Sequence, residues 1–518
     1  MDAFNQWTNE LTALVGKFHG NVISLPLMFI LVGTGLYLTI RLRFVQLRYI
    51  KHAIKCVSGK YDDPNEAGAV THFQALCAAL SATIGTGNIA GVAIAIAVGG
   101  PGAIFWMWVT AAVGMATKFT SCSLAIRYRK IHPDGSISGG PMYFLEQGLN
   151  LKWLAKVFAF FTVLSALSAG CMFQSNAVAN GLANILPASL TMTTADGGST
   201  STLLITNGII GFILALLVGV VIIGGIKRIA TVAEKIVPMM TVFYVGSALV
   251  IIFLNGAEIP TAFGQIFKYA FTPLAVGGGV LGGLLGSTLR MGVARGLFSN
   301  EAGIGSAPIA HAAAKTKEMV REGMVSMLGP FIDTLVVCTM TALVILTSGV
   351  WQVQNEAGET IYGPGGQGIY HEGVVAVYNV ATAETTTLTN SAGDPYKILS
   401  SSSLTIAGFE SKLTHWGKWF VAIALVFFAY SSMISWSYYS DQCCEYLMGP
   451  KSVIIHRWLF CILLIPGAMG PLDLIFTLSD VFMAFMAFAN LTALIGLSGL
   501  VITETRSYVS RMKAQGDL

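Results

Sequence analysis

The apolar run from Val70 to Val98 is long enough to cross a bilayer, yet its middle is poor helix material. Ser81-Ala82-Thr83-Ile84-Gly85-Thr86-Gly87-Asn88-Ile89-Ala90-Gly91 sets a threonine between two glycines, with an asparagine after them. Glycine and asparagine both weaken a helix interior. Backbone that leaves the helix at membrane depth persists only where protein or a polar cavity surrounds it. Freed N–H groups there suit an anion, and freed carbonyls a cation. One reading is a transporter whose solute and ion meet at this break. The other is a glycine patch for close helix–helix packing.

Composition narrows the class. Of 518 residues, 54% are hydrophobic and only 11% charged, against about 25% charged in soluble domains. The chain is therefore an all-α, polytopic integral membrane protein with the lipid bilayer as its solvent. A net charge of +4 without Lys/Arg blocks or finger spacing excludes a nucleic-acid partner. The eight cysteines form no C-x-x-C and read as reduced packing residues. Met1-Asp2-Ala3-Phe4-Asn5-Gln6 has no basic n-region, so the first apolar run is expected to be retained.

Hydropathy predicts about eleven spans of roughly 20 residues. They fall near Ile23–Ile40, Val70–Val98, Ala103–Ile126, Leu154–Leu186, Leu203–Gly224 and Ile229–Leu254. A glycine-rich seventh lies between Phe263 and Phe298, followed by Met324–Val350, Trp419–Tyr438, Val453–Ala468 and Leu474–Ile502. Alternate connections are basic: Arg41 to Lys60, Arg127 to Lys130, Lys227 and Arg228, Arg290 to Arg321, Lys451 and Arg457, then Arg506 to Lys513. The positive-inside rule puts these in the cytoplasm, with the N-terminus outside and the C-terminus inside. The long connection Trp351–Trp416 then lies outside, as a solvated, partly ordered loop whose alternating Val374–Val380 suits a short strand.

The seventh segment repeats the first anomaly, with Val276-Gly277-Gly278-Gly279-Val280-Leu281-Gly282-Gly283 and then Gly286. It follows the second span by five, so the two cross in opposite directions. Two glycine-interrupted helices in matching positions of inverted halves point to a midplane site. Residues 1–69 are then an extra helix and basic loop, 70–255 and 256–505 two five-helix repeats, and 506–518 a tail. Gly279, Gly282 and Gly283 are the expected facing wall. Gln174, near mid-depth on the fourth span, either hydrogen-bonds the solute or makes a helix–helix bond. Glu301 and Asp333 carry the suspicion attached to any intramembrane acid; pairing with Arg290 or Arg295 to close the cytoplasmic side is the favoured role. His72 reads as a satisfied interface histidine, and Trp106, Trp108 and Trp436 as belt or core.

Several linked motifs carry a family resemblance. They are Gly85-Thr86-Gly87-Asn88-Ile89-Ala90-Gly91, Gly99-Gly100-Pro101-Gly102-Ala103, Met115-Ala116-Thr117-Lys118 and Gly139-Gly140-Pro141-Met142-Tyr143. Arg295-Gly296-Leu297-Phe298-Ser299-Asn300-Glu301-Ala302-Gly303, Phe331-Ile332-Asp333-Thr334 and Ser435-Trp436-Ser437-Tyr438-Tyr439 extend them. The chain resembles the alanine or glycine:cation symporter family across almost its whole length; only the long outer loop departs. The resemblance implies a LeuT-like five-plus-five inverted repeat plus an extra N-terminal helix. It also implies sodium-coupled uptake of alanine or glycine through a bacterial-type inner membrane. Carried over, it assigns the solute carboxylate to the backbone of Gly85, Thr86 and Gly87, with Asn88 completing that stretch. Sodium, the coupling ion, takes carbonyls of Ser81 and Ile84 and hydroxyls of Ser431 and Ser432. Thr83 and Asn88 occupy positions of a second sodium site in the wider fold.

The expected function is a sodium-coupled symporter working by alternating access. A proton-coupled version with Glu301 or His72 as carrier is the alternative. A channel is disfavoured because the polar elements are isolated breaks. No H-E-x-x-H motif or nucleophile–base pair suggests an enzyme. The choice between alanine and glycine, and any homo-oligomer, stay open on the sequence alone.

Overall fold

The computed structural model describes residues 10–12, 14–16, 25–63, 65–133, 135–183, 185, 200–271, 281–363, 369–371, 374–379, 384–391, 393–399, 401–470 and 473–517. Eight helices there are long and apolar enough to span a membrane, from Gly102–Arg127 to Leu474–Ala514. His72–Thr83 and Gly87–Gly99 make a further span bent by 55° at its break. These nine coincide with the second to sixth and eighth to eleventh expected segments. The other two differ: Leu25–Arg41 has only 17 residues, and Leu281–Asn300 carries Arg290 and Arg295 within it rather than in a loop after it.

The broken span begins and ends for local reasons. Thr71 and Gln74 form a reciprocal capping box, Gln74 N–H donating to the Thr71 hydroxyl and Thr71 N–H to the Gln74 amide oxygen. The helix stops at Ile84, whose ψ of 91° turns its carbonyl out of the ladder. A π-helical turn over Gly87–Gly91 restarts it, and Val92–Gly99 continues it. Gly100, at φ 73°, closes the helix, and Pro101 cannot continue it.

Leu281–Asn300 runs antiparallel along this restarted half. A Cβ on Gly99 would meet Met291 at 3.1 Å, and one on Gly87 would meet the Phe298 ring at 3.3 Å. The two readings of the glycines thus divide by position. Gly85 lies at the break, while Gly87 and Gly99 admit the neighbouring helix.

A second interruption lies beyond the glycine-dense run, of which residues 276–280 fall outside the described residues. Gly282 and Gly283 lie in the first turn of the continuous helix Leu281–Asn300, and Gly279 lies outside the described residues. The chain leaves the helix at Glu301, with φ 53°, and passes Gly303 and Gly305 at φ 96° and 95° before a short helix over Ala307–His311. Positive φ at 303 and 305 demands glycine, whereas glycines at a helix start are merely tolerated. Both broken segments converge at their His72 and His311 ends. Ala69 N–H donates to Ala313 O at 2.7 Å, and Lys315 N–H to Val70 O at 2.8 Å. Arg129 donates to the carbonyls of Ala67, Ala312, Ala314 and Thr316. Glu322 accepts from both His72 and His311, the latter at 2.5 Å. His72 is thus buried and paired through Nδ1, while its Nε2 has no hydrogen-bond partner and lies 3.8 Å from Asp62 Oδ1.

The long connection is more ordered than a solvated loop. Val374–Asn379 forms the middle strand of an antiparallel three-stranded sheet with Ile369–His371 and Glu384–Thr387. The helix Ser401–Leu413 packs inward, and the Thr405 hydroxyl donates to Ile89 O at 3.0 Å. The Tyr362 hydroxyl reaches Ala97 O. Two side chains of this connection therefore grip the restarted half of the broken span.

Candidate solute and ion site

A narrow cavity opens at the first break. Its walls are Ala82, Thr83, Gly85, Thr86 and Gly87 from that span, with Ala169, Gln174, Phe298, Glu301, Trp436 and Met483 opposite. The volume is about 20 Å³, room for roughly one water. Loading even a small amino acid therefore requires one of the large walls, Phe298, Trp436 or Met483, to move. Phe298 and Met483 also line a second cleft of about 240 Å³ that holds Arg290, Arg295 and Asp480. Those two side chains are the partition between cleft and cavity.

The Ser431 and Ser432 hydroxyls lie against the carbonyls that precede the break. Ser431 Oγ donates to Ser81 O at 3.2 Å, and Ser432 Oγ to Ala82 O at 3.2 Å. Ser81 Oγ returns a bond to Ser431 O at 2.7 Å. All three serines are fully buried. A Cβ on Gly85 would lie 2.7 Å from Ser432 Oγ, so glycine is what lets this hydroxyl stand against the break. Ile84, also fully buried, supplies the carbonyl that has left the helical ladder. Clustered carbonyl and hydroxyl oxygens without a formal charge suit a hard monovalent cation better than a transition metal. No group of three His, Cys, Asp or Glu side chains with metal-ligating geometry occurs among the described residues.

The solute side is assembled differently from expectation in two respects. Asn88 does not border the cavity. It is fully buried, and its Oδ1 accepts Gly85 N–H at 2.9 Å while its Nδ2 donates to Asp333 Oδ1 at 2.7 Å. Gly85 N–H is thus spoken for, which leaves Thr86 and Gly87 as the other residues at the break that line the cavity. Gln174 is there as expected, accepting from the Thr86 hydroxyl at 3.4 Å. The expected glycine wall is the second difference. Gly282 and Gly283 start a helix that reaches the cavity only at Phe298, some four turns or about 22 Å further along.

Glu301 lines the cavity and accepts from Ser306 Oγ at 2.5 Å, with Trp436 also interacting with it. Asp333 accepts from Asn88, Ser299 and Thr334. Neither acid makes the expected pairing with Arg295, whose guanidinium lies over the Phe476 ring. Sequence reasoning missed Phe298, Trp436 and Met483 as walls, because an apolar wall and an apolar packing residue read alike. The signal for Phe298 was its place just before Ser299-Asn300-Glu301.

A multi-pass helical protein with an unwound span beside a buried polar cavity is a membrane transporter. The sodium:alanine symporter family matches residues 8–364 and 362–518. The chain is 41% identical over 503 residues to the sodium/alanine symporter AgcS of Methanococcus maripaludis, covering 96% of this chain and 97% of that one. It is 41% identical over 489 residues to an uncharacterized transporter of Haemophilus influenzae, covering 94% of each. A putative sodium/proton-dependent alanine carrier protein, YrbD of Bacillus subtilis, is 36% identical over 513 residues, covering 97% of this chain and 93% of that one. The chain belongs to the sodium:alanine symporter family. It is an amino-acid symporter and not an enzyme.

Proposed function

We propose that this protein imports alanine or glycine with sodium, by alternating access around the cavity at Gly85. The observation that carries the reading is the pairing of the Ser431 and Ser432 hydroxyls with the Ser81 and Ala82 carbonyls, one turn from the amides of Thr86 and Gly87. A zwitterion costs several kcal/mol to desolvate, so each charged end needs a partner inside. The carboxylate takes the Thr86 and Gly87 amides, with Gln174 oriented beside them. Glu301 is the acidic group on the cavity wall available to the solute ammonium. Once one of the large walls has moved, the glycines on one side and Phe298 and Trp436 on the other favour a solute with a small side chain over one with a long side chain.

Sodium is cargo in this reading. Entering between the serine hydroxyls and the carbonyls of Ser81 and Ile84, it holds the broken span against Trp416–Met448 and steadies the amides for the solute. Each ligand then raises the other's affinity, typically by about 5- to 150-fold. The cleft holding Arg290 and Asp480 is the approach from outside, and Phe298 with Met483 the thin partition that moves first. The converging His72 and His311 ends close the cytoplasmic side. Residues 70–255 and 256–505 act as the inverted halves, and the basic loops and C-terminus lie in the cytoplasm of a bacterial-type inner membrane.

The test is the double variant Ser431→Ala/Ser432→Ala in proteoliposomes. Alanine uptake should lose its sodium response; an unchanged response would overturn the assignment. A proton-coupled reading draws on Glu301 in the cavity wall, and uptake in sodium-free buffer under an imposed pH gradient separates the two.

A further inference from the structure

Each break carries its own asparagine cap. In the first, Asn88 Oδ1 accepts Gly85 N–H at 2.9 Å; in the second, Asn300 Oδ1 accepts Ala302 N–H at 3.0 Å. A side-chain amide that caps with its oxygen has its nitrogen left to donate. Both nitrogens donate to one place, the adjacent pair Asp333 and Thr334 in the π-helical stretch Phe331–Cys338. Asn88 Nδ2 meets Asp333 Oδ1 at 2.7 Å, and Asn300 Nδ2 meets Thr334 Oγ1 at 3.2 Å. The Thr334 hydroxyl donates onward to Asp333 Oδ2 at 2.7 Å, and Ser299 donates to the same oxygen at 2.8 Å. Asn88, Asn300, Asp333 and Thr334 are all fully buried.

An ionised carboxylate only accepts, and this fixes the direction of every bond around it. Asn88 must turn its nitrogen to Asp333, which turns its oxygen to Gly85. Thr334 must spend its hydrogen on Asp333, so its oxygen accepts from Asn300, whose own oxygen then faces Ala302. We propose that Asp333 is the positioning residue that sets both breaks at once, with Thr334 as its relay to the second. The two broken spans then share one reference point. A shift at either break is felt at the other through five hydrogen bonds, with neither solute nor ion in direct contact with Asp333. The solute's identity rests on the proposed function; the clamp itself does not.

The experiment exchanges the two partners. Asn88→Asp alone sets two carboxylates face to face, and uptake kcat/KM should fall by about 100-fold or more. Asp333→Asn added to it restores the donor–acceptor pair between the two side chains, though not the weaker contacts of Asn88 Nδ2 to Ser299 Oγ and the Asp333 carbonyl. The carboxylate now at position 88 would cap Gly85 and accept from the amide nitrogen now at position 333, whose oxygen receives Ser299 and Thr334. The double variant should recover to within about tenfold of wild type. A folded double variant, judged by its melting temperature, that transports no better than Asn88→Asp overturns the proposal. Thr334→Val should raise the alanine KM by about 5- to 150-fold, the scale of the two buried hydrogen bonds its hydroxyl makes, and Thr334→Ser should not. Hydrogen–deuterium exchange reads the clamp without any solute. Thr334→Val should speed exchange over residues 298–306, and rates equal to wild type would refute the relay. Should the wild type transport no alanine, that exchange result still decides the clamp.

Discussion

Gly85→Ala is the sharpest probe of the junction between break and ion site. The new Cβ would lie 2.7 Å from Ser432 Oγ and 3.8 Å from Ser432 Cβ. No positive φ is involved at Gly85, so the effect is steric and local. The hydroxyl must swing away, and its single hydrogen then leaves the position it shares between Ala82 O at 3.2 Å and Phe428 O at 3.0 Å. At about 0.5–1.5 kcal/mol for that one hydrogen bond, the loss is a factor of about 2 to 13 in sodium affinity. The assay is alanine uptake by proteoliposomes as a function of sodium, with the half-saturating concentration as the readout. Ser432→Ala removes the atom struck by the new methyl group. The double variant Gly85→Ala/Ser432→Ala should therefore match Ser432→Ala alone, a non-additivity of residues in contact. A Gly85→Ala protein with wild-type sodium affinity, or strictly additive variants, would refute the reasoning.

Three further outcomes follow from the same contacts. Phe298→Ala removes half of the partition between cleft and cavity, so leucine should compete for alanine uptake at least about tenfold better, as measured by inhibition of labelled alanine. Gly102→Ala drives a methyl group to 2.1 Å from the Tyr269 carbonyl, backbone against backbone, and should cost roughly 1–3 kcal/mol, seen as a lower melting temperature in detergent. Glu322→Gln keeps one acceptor for the two imidazoles of His72 and His311, and the orphaned donor should cost about 1–3 kcal/mol and raise labelling of cysteines placed at residues 69 and 313.

The first break was legible because Gly-Thr-Gly-Asn conflicts with helix at membrane depth, and a conflict of local and global preference marks a functional site. Ser431 and Ser432 were reached only through resemblance; as letters they are two more small residues in an apolar span. The break at Glu301 was not anticipated because glycine count is a weaker signal than glycine position. Gly303 and Gly305 sit at positive φ on either side of Ile304, whereas the denser run before Gly286 ends in a regular helix start. Arg290 and Arg295 were read as loop residues since hydropathy expels charge from spans. In the fold they line a largely apolar cleft within the helix bundle, together with Asp480. Asn88 looked like a ligand because it follows the break. Its oxygen is instead consumed by Gly85 and its nitrogen by Asp333, 245 residues away, a pairing that no local pattern reveals.

The central claim is that sodium and a small amino acid move together through the site at Gly85. Its most direct test is purified protein in liposomes with an inward sodium gradient and equal pH on both sides. Labelled alanine should accumulate above its external concentration, labelled sodium should enter with it, and collapse of the sodium gradient should abolish both. Accumulation of alanine without sodium, driven by a pH gradient alone, would contradict the account.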